Sequence, residues 1–305
     1  MQRECFAFIL NWFNCNFDTP YQLANGFALQ KANEAQRAFI IEWLKGRGLD
    51  ERMPYQYKTL KEQAESTDRL HEDPAAWRYW VVNFPPAHSY FEAMELAMHL
   101  VTPLVPAFTH CATPGGGPSY GTPSDIVHVF TNENYHRQFI SLDAPVALSA
   151  AFSLIAAFDH KKFNVISDAL FNFQQLKGIP KTVGFRHLGF FAIIESLLTH
   201  MPDPKDPTDS IGRQIKSKFI LLNNRMDPKF DFEHWFGEIE PAKLLGKLYT
   251  YRSKIAHGAP VEFDSGPLSV LKSTEHVHAV LVALTSNLIL HAMKEPQLMT
   301  DLKRC

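Results

Sequence analysis

The segment PAKLLGKLYTYRSKIAHGAP, from Pro241 to Pro260, is the most informative stretch of this 305-residue chain. Pro241 suits the first turn of a helix, and Gly258 followed by Pro260 is a stop signal. The pattern therefore predicts a helix with His257 in its last turn. Because the negative end of the helix dipole favours a protonated imidazole, His257 is a candidate proton donor to a leaving group.

Arg252 is predicted to lie on the apolar side of this helix. At 100° per residue, the side chains within about 60° of it are Leu245, Leu248, Ile255 and Ala256. A fully solvated position is therefore not expected for Arg252. A second edge, at roughly 60° to 140° from the arginine, is formed by Tyr249, Ser253, Gly246 and His257. A long arginine side chain can bridge the offset between Arg252 and His257.

Glu195 shows the same anomaly in an earlier helix that is apolar nearly all round. Its apolar neighbours on that helix are Leu188, Phe191, Ala192 and Leu198. Charged side chains are seldom buried without a partner. We therefore expect Glu195 to face Arg252 across a helical bundle and to hold the guanidinium by a bidentate pair.

Helical patterns fill the chain from residue 144 onward. The predicted helices are 145–158, 163–177, 182–200, 210–223, 240–257 and 268–294. Short breaks rich in Pro, Gly and Asp separate most of them, which is typical of an antiparallel bundle. Because strand signals disappear here, we place a domain boundary near residue 140 and predict that 141–305 is an all-α domain.

Residues 1–140 predict an α+β domain, so the expected fold class is α+β followed by an all-α bundle, mostly α overall. The predicted strands are 5–13, 21–30, 77–84 and 126–130, and the helices are 33–45 and 89–101. Asn33 and Gln36 suit a capping box, and Gly46 suits a helix stop. Residues 112–125, dense in Gly and Pro, predict an exposed loop. Three tryptophans are expected in the core rather than on a ligand surface: Trp12, Trp77 and Trp80.

The composition is that of an ordinary globular protein. The formal charge of −2 gives no global field for nucleic acid or membrane, so any anionic ligand must meet a local patch. The cysteines show no CxxC pair and are expected to be reduced: Cys5, Cys15, Cys111 and Cys305. The N-terminus lacks a basic lead-in, and no apolar run approaches the roughly 18 residues of a membrane span. We expect a cytoplasmic protein with no membrane partner.

The hexapeptide from Arg252 to His257, preceded by Tyr249 and followed by Gly258, resembles the RxxxxH signature of HEPN domains. The form Y..RS.I.HG resembles their ApeA-like branch. Residues 185–200 are similar to the first helix of that branch, including its acidic residue at Glu195, and 210–223 are similar to its second helix. The resemblance is confined to the C-terminal domain.

The resemblance implies a bundle that forms a homodimer, in which two Arg and His motifs meet in a cleft and cut RNA. The ribose 2'-hydroxyl would attack the adjacent phosphate, with no metal or other cofactor. His257 would be the acid and base, Arg252 the electrostatic stabiliser, and Glu195 a supporting carboxylate. Tyr249 and Ser253 would be supporting polar residues. The branch also implies prokaryotic anti-phage defence by abortive infection, with an N-terminal domain that senses a phage-derived trigger or regulates the enzyme.

Five basic residues are candidates for contacts with RNA phosphates: Arg213, Lys216, Lys218, Lys247 and Lys254. Exposed lysines also simply solvate a helix, and that interpretation stays open. Lys254 projects about 200° away from Arg252, so the two do not share a face within one chain.

A non-catalytic function is the main alternative. The same bundle would then dimerise or bind a nucleotide, while the N-terminal domain recognises a protein partner. Basic residues near a helix C-terminus also suit the dipole without any catalysis. His276 and His278 predict no metal site, because residues two apart lie on nearly opposite sides of a helix.

Overall fold

A computed structural model describes residues 5–9, 13–46, 79–85, 90–102, 104, 106–111, 138–206 and 209–304. The strand predicted at 126–130, the loop predicted at 112–125, and Trp12 and Trp77 lie outside these residues. The chain divides into two compact units, Met1–Ala156 and Ala157–Cys305. As predicted, strands are confined to the first part of the chain and the second part is helical.

The first unit contains a five-stranded antiparallel sheet with the order β3-β4-β5-β1-β6. Its strands are β1 (Cys5–Ile9), β3 (Tyr21–Gln22), β4 (Ala28–Lys31), β5 (Trp80–Phe84) and β6 (Pro106–Cys111). A separate parallel pair joins β2 (Phe13–Cys15) to β7 (Gln138–Ile140). All five residues of β1 are buried, as is usual for a central strand covered on both faces.

In the described part of the first unit, three α-helices accompany this sheet: α1 (Glu34–Lys45), α2 (Phe91–Val101) and α3 (Asp143–Ala157). The predicted capping box of α1 is confirmed, because Asn33 accepts from the Gln36 N–H at 2.9 Å and Gln36 accepts from the Asn33 N–H at 3.0 Å. Trp80 is 4% exposed and belongs to the core, as expected. The strand predicted at 21–30 is interrupted by a short 3-10 helix, Ala24–Gly26, in which Asn25 and Gly26 have positive φ angles.

The division between the units lies later than the boundary predicted near residue 140. Helix α3 belongs to the first unit, although its helical pattern suggested the bundle. Phe152 is fully buried and packs edge to face on Phe27 with 4.8 Å between ring centroids. Ser149 accepts a hydrogen bond from the Ala24 N–H at 3.0 Å. A helical pattern identifies the element but not the surface on which it packs.

The second unit is built from seven α-helices in the described part of the chain: α4 (Asn164–Leu176), α5 (Gly184–Leu198), α6 (Ile211–Asn223), α7 (Phe232–Phe236), α8 (Pro241–Ala256), α9 (Thr274–Lys294) and α10 (Pro296–Arg304). A 3-10 helix, Gly266–Leu271, precedes α9. Helix α5 packs on α4, α6, α8, α9 and α10, so it is central to the unit. The predictions missed α7 and α10, and α9 begins six residues later than predicted because the 3-10 helix comes first.

Helix α9 is long and apolar enough to span a bilayer by length and composition, contrary to the expectation that no such stretch exists. Its most apolar window is 67% buried inside the protein, as in a core helix. It packs on α5, α4 and α10.

The expectation that all cysteines are reduced is wrong for Cys5, which is disulfide-bonded, whereas Cys15 is free. The isolated positions of the cysteines in the sequence concealed this, because the sheet brings distant strands together. The cysteines therefore no longer support a reducing compartment.

Candidate functional site

The predicted pair between Glu195 and Arg252 is present. Arg252 Nε donates to Glu195 Oε1 at 3.1 Å, and its Nη2 donates to Oε2 at 3.4 Å. Both oxygens of one carboxylate thus meet two nitrogens of one guanidinium, which is the bidentate geometry expected for this pair. The contact joins α5 to α8 and restricts the orientation of the guanidinium plane.

The pair lies at the rim of the core rather than inside it. The side chain of Arg252 is 31% exposed and that of Glu195 is 21% exposed. Along the predicted apolar stripe, Leu245 and Leu248 are buried, but Ile255 is half-buried and Ala256 is exposed. The stripe therefore emerges from the core near Arg252. A guanidinium in this position is held by its partner and still reachable from water.

Tyr249 lies beneath the guanidinium, with 5.8 Å between Arg252 Cζ and the centroid of the tyrosine ring. The tyrosine itself packs against α6, since a Cβ added to Gly212 would lie 3.0 Å from Tyr249 Cδ1. Cation and ring faces attract each other at this separation. Tyr249 and Glu195 together direct the guanidinium toward the N-terminal part of α8, which is the direction that helical side chains favour.

His257 is the C-cap residue that follows α8, not a member of its last turn as predicted. Its backbone N–H donates to the Ser253 carbonyl at 3.1 Å, and Gly258 then turns the chain with a φ of 67°. The residue is exposed, so its imidazole is accessible. Within the described chain Arg252 bonds to Glu195 and not to His257, so the expected bridge from arginine to histidine is not formed inside one protomer.

The predicted basic residues do not form one patch. Lys218 is only 6% exposed, and its Nζ lies 3.3 Å from His200 Nδ1 and donates to the Lys303 carbonyl at 3.4 Å. Its predicted role in RNA binding is wrong, because α10 covers it. Lys254 donates to the Pro260 carbonyl at 3.0 Å and so holds the turn after α8. Arg213 is exposed, while Lys216 and Lys247 are half-exposed.

A polar cluster explains the burial around Lys218. Gln214 donates to Asp209 Oδ1 at 2.6 Å and accepts from the His200 N–H at 2.9 Å. The Asp203 N–H donates to Asp209 Oδ2 at 2.8 Å. This hydrogen bond first, and that from Gln214 second, lower the pKa of Asp209. The cluster ties the segment before α6 to α5, which is a structural role.

The sequence analysis missed a buried polar contact one residue before Arg252. Tyr251 is 3% exposed, His187 is fully buried, and the Tyr251 hydroxyl lies 2.6 Å from His187 Nδ1. His278 stacks on His187 with 5.5 Å between ring centroids. The spacing of Leu244, Leu248 and Tyr251 is helical and contained the signal for burial. The contact joins α5 to α8 beside the candidate site.

Burial determines the charges of His187, His278 and Tyr251. It lowers the pKa of His187 to about 4, although a hydrogen bond with the Lys181 backbone acts to raise that pKa. Burial also lowers the pKa of His278 to about 3, with the charge of Arg186 acting in the same direction. The pKa of Tyr251 is raised to about 12, again mainly by burial. Both histidines are therefore neutral near pH 7, and the tyrosine keeps its proton.

Segments that follow α8 in the chain line a cavity of about 470 Å³. Its lining is Val261, Glu262, Phe263, Asp264, Ser265, Lys272, Ser273, Thr274 and Glu275. Three carboxylates in this lining oppose an anionic ligand, and Lys272 already donates to the Trp235 carbonyl at 2.9 Å. Within the described residues, no group of three or more His, Cys, Asp or Glu side chains is arranged to hold a metal ion.

Comparison with family models, with curated proteins and with solved structures finds no match to this chain.

Proposed function

We propose that this chain is a metal-independent endoribonuclease of the HEPN type, acting as a homodimer. The observation that carries the proposal is the bidentate pair between Glu195 and Arg252, held at the rim of the core five residues before an exposed His257. A guanidinium fixed by a carboxylate and still accessible is suited to stabilising the charge that develops on a phosphate.

The chemistry assigns a role to each group. His257 removes the proton from a ribose 2'-hydroxyl, or returns one to the leaving 5'-oxygen, while Arg252 stabilises the phosphorane. The oxygen–phosphorus bond to the 2'-oxygen forms as the bond to the 5'-oxygen breaks. The products are a 2',3'-cyclic phosphate and a free 5'-hydroxyl. This route requires no metal ion.

Dimerisation supplies what one chain lacks. The guanidinium of Arg252 lies over the Tyr249 ring and bonds to Glu195, not to its own His257, so in this proposal an acid and base from a second copy completes the site. Helix α5 offers a surface for that copy, since Phe185 is 76% exposed and lies on one face with half-buried Leu188 and exposed Ala192. A row of exposed apolar residues is typical of an interaction site.

The RNA path in this proposal uses Lys216, Lys247 and exposed Arg213, without Lys218 and Lys254. A cytoplasmic location and a role in prokaryotic anti-phage defence, with a phage-derived trigger sensed by the first unit, are parts of the proposal that rest on the family resemblance alone.

A second candidate function is a non-catalytic dimerisation or nucleotide-binding module. The observation that favours it is that Arg252 bonds to Glu195 and not to His257, because an arginine engaged by Glu195 also serves to join α5 to α8. The exposed row on α5 suits this candidate equally. Both candidates predict a dimer, so only a chemical assay separates them.

The test is cleavage of an end-labelled single-stranded RNA in the presence of EDTA by wild type, His257→Ala, Arg252→Ala and Arg225→Ala. Arg225 is a matched control, because its ion pair with Glu295 is an exposed one in the same unit. We expect the first two variants to lose at least about 100-fold in rate and the control to keep its rate. Equal rates in all four proteins would remove the assigned site, and absence of cleavage by wild type would favour the second candidate.

Oligomeric state is tested by light scattering of Phe185→Ser beside Met201→Ser. Met201 is 90% exposed and lies outside α5, so it controls for loss of an exposed apolar side chain. We expect Phe185→Ser to shift the protein toward monomer and Met201→Ser to remain dimeric. A wild-type monomer would contradict the dimeric site.

A further inference from the structure

Arg186 is a buried arginine with no carboxylate partner. It lies in the first turn of α5 and is only 5% exposed. Its Nη1 donates to the Ile179 carbonyl at 2.6 Å, but its buried Nε has no hydrogen-bond partner. Among the described residues, no aspartate or glutamate forms an ion pair with it.

A second cation lies beside it. Lys177 is the C-cap residue of α4, and burial of its ammonium group, followed by the charge of Arg186, lowers its pKa to about 7. No ion pair of Lys177 is found within the described chain. As a residue Lys177 is half-buried, whereas Arg186 is almost fully buried. Arg186 thus lies without a carboxylate partner beside a lysine whose positive charge is disfavoured by the same surroundings.

The surrounding groups do not neutralise this charge. Burial keeps His187 and His278 uncharged, and Lys181 adds further positive charge near His278. Glu275 acts on His187 and Tyr251 but is not among the groups that act on Lys177 or Arg186. The Nδ1 atom of His278 is buried and also lacks a partner. The cluster therefore contains an unused donor at Arg186 Nε and no neutralising carboxylate.

Burying a cation without a partner is unfavourable, and a second positive charge nearby adds repulsion. A bound anion would remove both costs. The Arg186 N–H already donates to the Val183 carbonyl at 2.9 Å, so the dipole of α5 is what favours an anion at this helix end. A guanidinium with a free edge beside an ammonium group matches a tetrahedral oxyanion with several acceptor oxygens.

We propose that Lys177 and Arg186 form a binding site for a phosphate group at the N-terminus of α5. The phosphate is either inorganic phosphate or the terminal group of a nucleoside monophosphate. Arg186 and Glu195 are nine residues apart on α5, which separates this site from the Glu195 to Arg252 pair by about 13 Å along the helix. The site is therefore distinct from the proposed RNA-cleaving site and does not depend on its activity.

The test measures thermal unfolding of the full chain in about 10 mM phosphate and in chloride of equal ionic strength. Wild type, Lys177→Met, Arg186→Lys and Lys229→Met are compared, and exposed Lys229 is the matched control for loss of a lysine. Because Lys177→Met removes an uncompensated charge, we expect it to unfold at a higher temperature than wild type in chloride. Misfolding of that variant would therefore be visible as the opposite result.

Phosphate is expected to raise the unfolding temperature of wild type and Lys229→Met by about 2 °C or more, and that of Lys177→Met not at all. Arg186→Lys should show a reduced rise, because the planar fork is lost. Adenosine 5'-monophosphate is a second probe: a larger rise than with phosphate identifies a nucleotide ligand, and an equal rise identifies phosphate alone. No rise in wild type, or an equal rise in Lys177→Met, would overturn the proposal.

Discussion

Arg252 and Arg186 belong to the same helical unit. Arg252 bonds to a residue of α5 and Arg186 is a residue of α5, but their charges differ in burial and in bonding partners. Arg252 is partly exposed and has a bidentate carboxylate partner in Glu195. Arg186 is almost fully buried and has only a backbone carbonyl. A structural role alone would favour the reverse, because the buried charge has the greater need of a partner. The difference indicates that the chain orients Arg252 itself and leaves Arg186 to an external anion.

Among the variants that test this comparison of Arg252 with Arg186, the largest effect is expected from Arg252→Lys, on the rate of RNA cleavage. It keeps the charge but replaces a planar fork with a point charge, so we expect cleavage of RNA to fall by about 100-fold. Arg225→Lys, at the exposed pair with Glu295, is expected to change the rate by less than about 2-fold. Single-turnover rates measure both. A similar loss in the two variants would mean that the bidentate geometry at Arg252 has no special role.

The next effect concerns the neutral histidines near Arg186. Their folded-state pKa values, about 4 for His187 and about 3 for His278, lie below the ordinary 6.5, so the unfolded chain binds protons more readily. This contribution to stability is complete above pH 6.5 and is lost as the pH falls toward 4. We expect a loss on the order of 3 kcal/mol for each histidine by pH 4 in urea unfolding experiments. His278→Phe should reduce this dependence, and an unchanged dependence would contradict the assignment.

A smaller effect on stability is expected at the contact between Tyr251 and His187, which are the sequence neighbours of Arg252 and Arg186. Tyr251→Phe removes the hydroxyl that meets His187 at 2.6 Å and leaves a buried ring nitrogen without a partner. We expect a loss of about 1 to 2 kcal/mol in the free energy of unfolding. Tyr249→Phe keeps the ring beneath Arg252 and should cost less than about 0.5 kcal/mol. Equal losses would show that the buried contact is not the more important one.

The smallest effect is expected at the surface near Arg252. In a His257→Ala background, which we expect to bind RNA without cutting it, Lys247→Gln should reduce the slope of log affinity against log salt by about 0.7. Lys229→Gln, at an exposed position, serves as the control. Filter binding at several salt concentrations provides the slopes. An unchanged slope with Lys247→Gln would remove this lysine from the RNA path.

Local interactions explain why several helices were predictable in both units. The capping box of α1 and the Pro241 start of α8 depend on neighbours a few residues apart. The pair between Glu195 and Arg252 was predictable despite a separation of 57 residues, because each charge lay on an apolar helix face and needed a partner. These arguments use only periodicity and the cost of burying charge.

Errors arose where a residue's role depends on what covers it. Lys218 was predicted to be a surface lysine. In the structure it donates a hydrogen bond to the Lys303 carbonyl of α10, which is distant in the sequence. Strand β6 begins with a proline and pairs with β1 about a hundred residues earlier, so no local pattern identified it. Helix α3 has a clear helical pattern, yet Phe152 packs on Phe27 in the first unit.

The amino-acid sequence by itself determined that strands lie in the first part of the chain and helices in the second, that α8 begins at Pro241, and that Arg252 and Glu195 require partners. Side-chain periodicity, capping and charge burial act over short distances and can be read along the chain. Only the tertiary structure decided that the guanidinium of Arg252 bonds to Glu195 and not to His257, that Tyr251 is buried against His187, and that Arg186 lacks a carboxylate partner. Those properties depend on which surfaces meet, because burial and electrostatic pairing are sums over residues that are distant in the sequence.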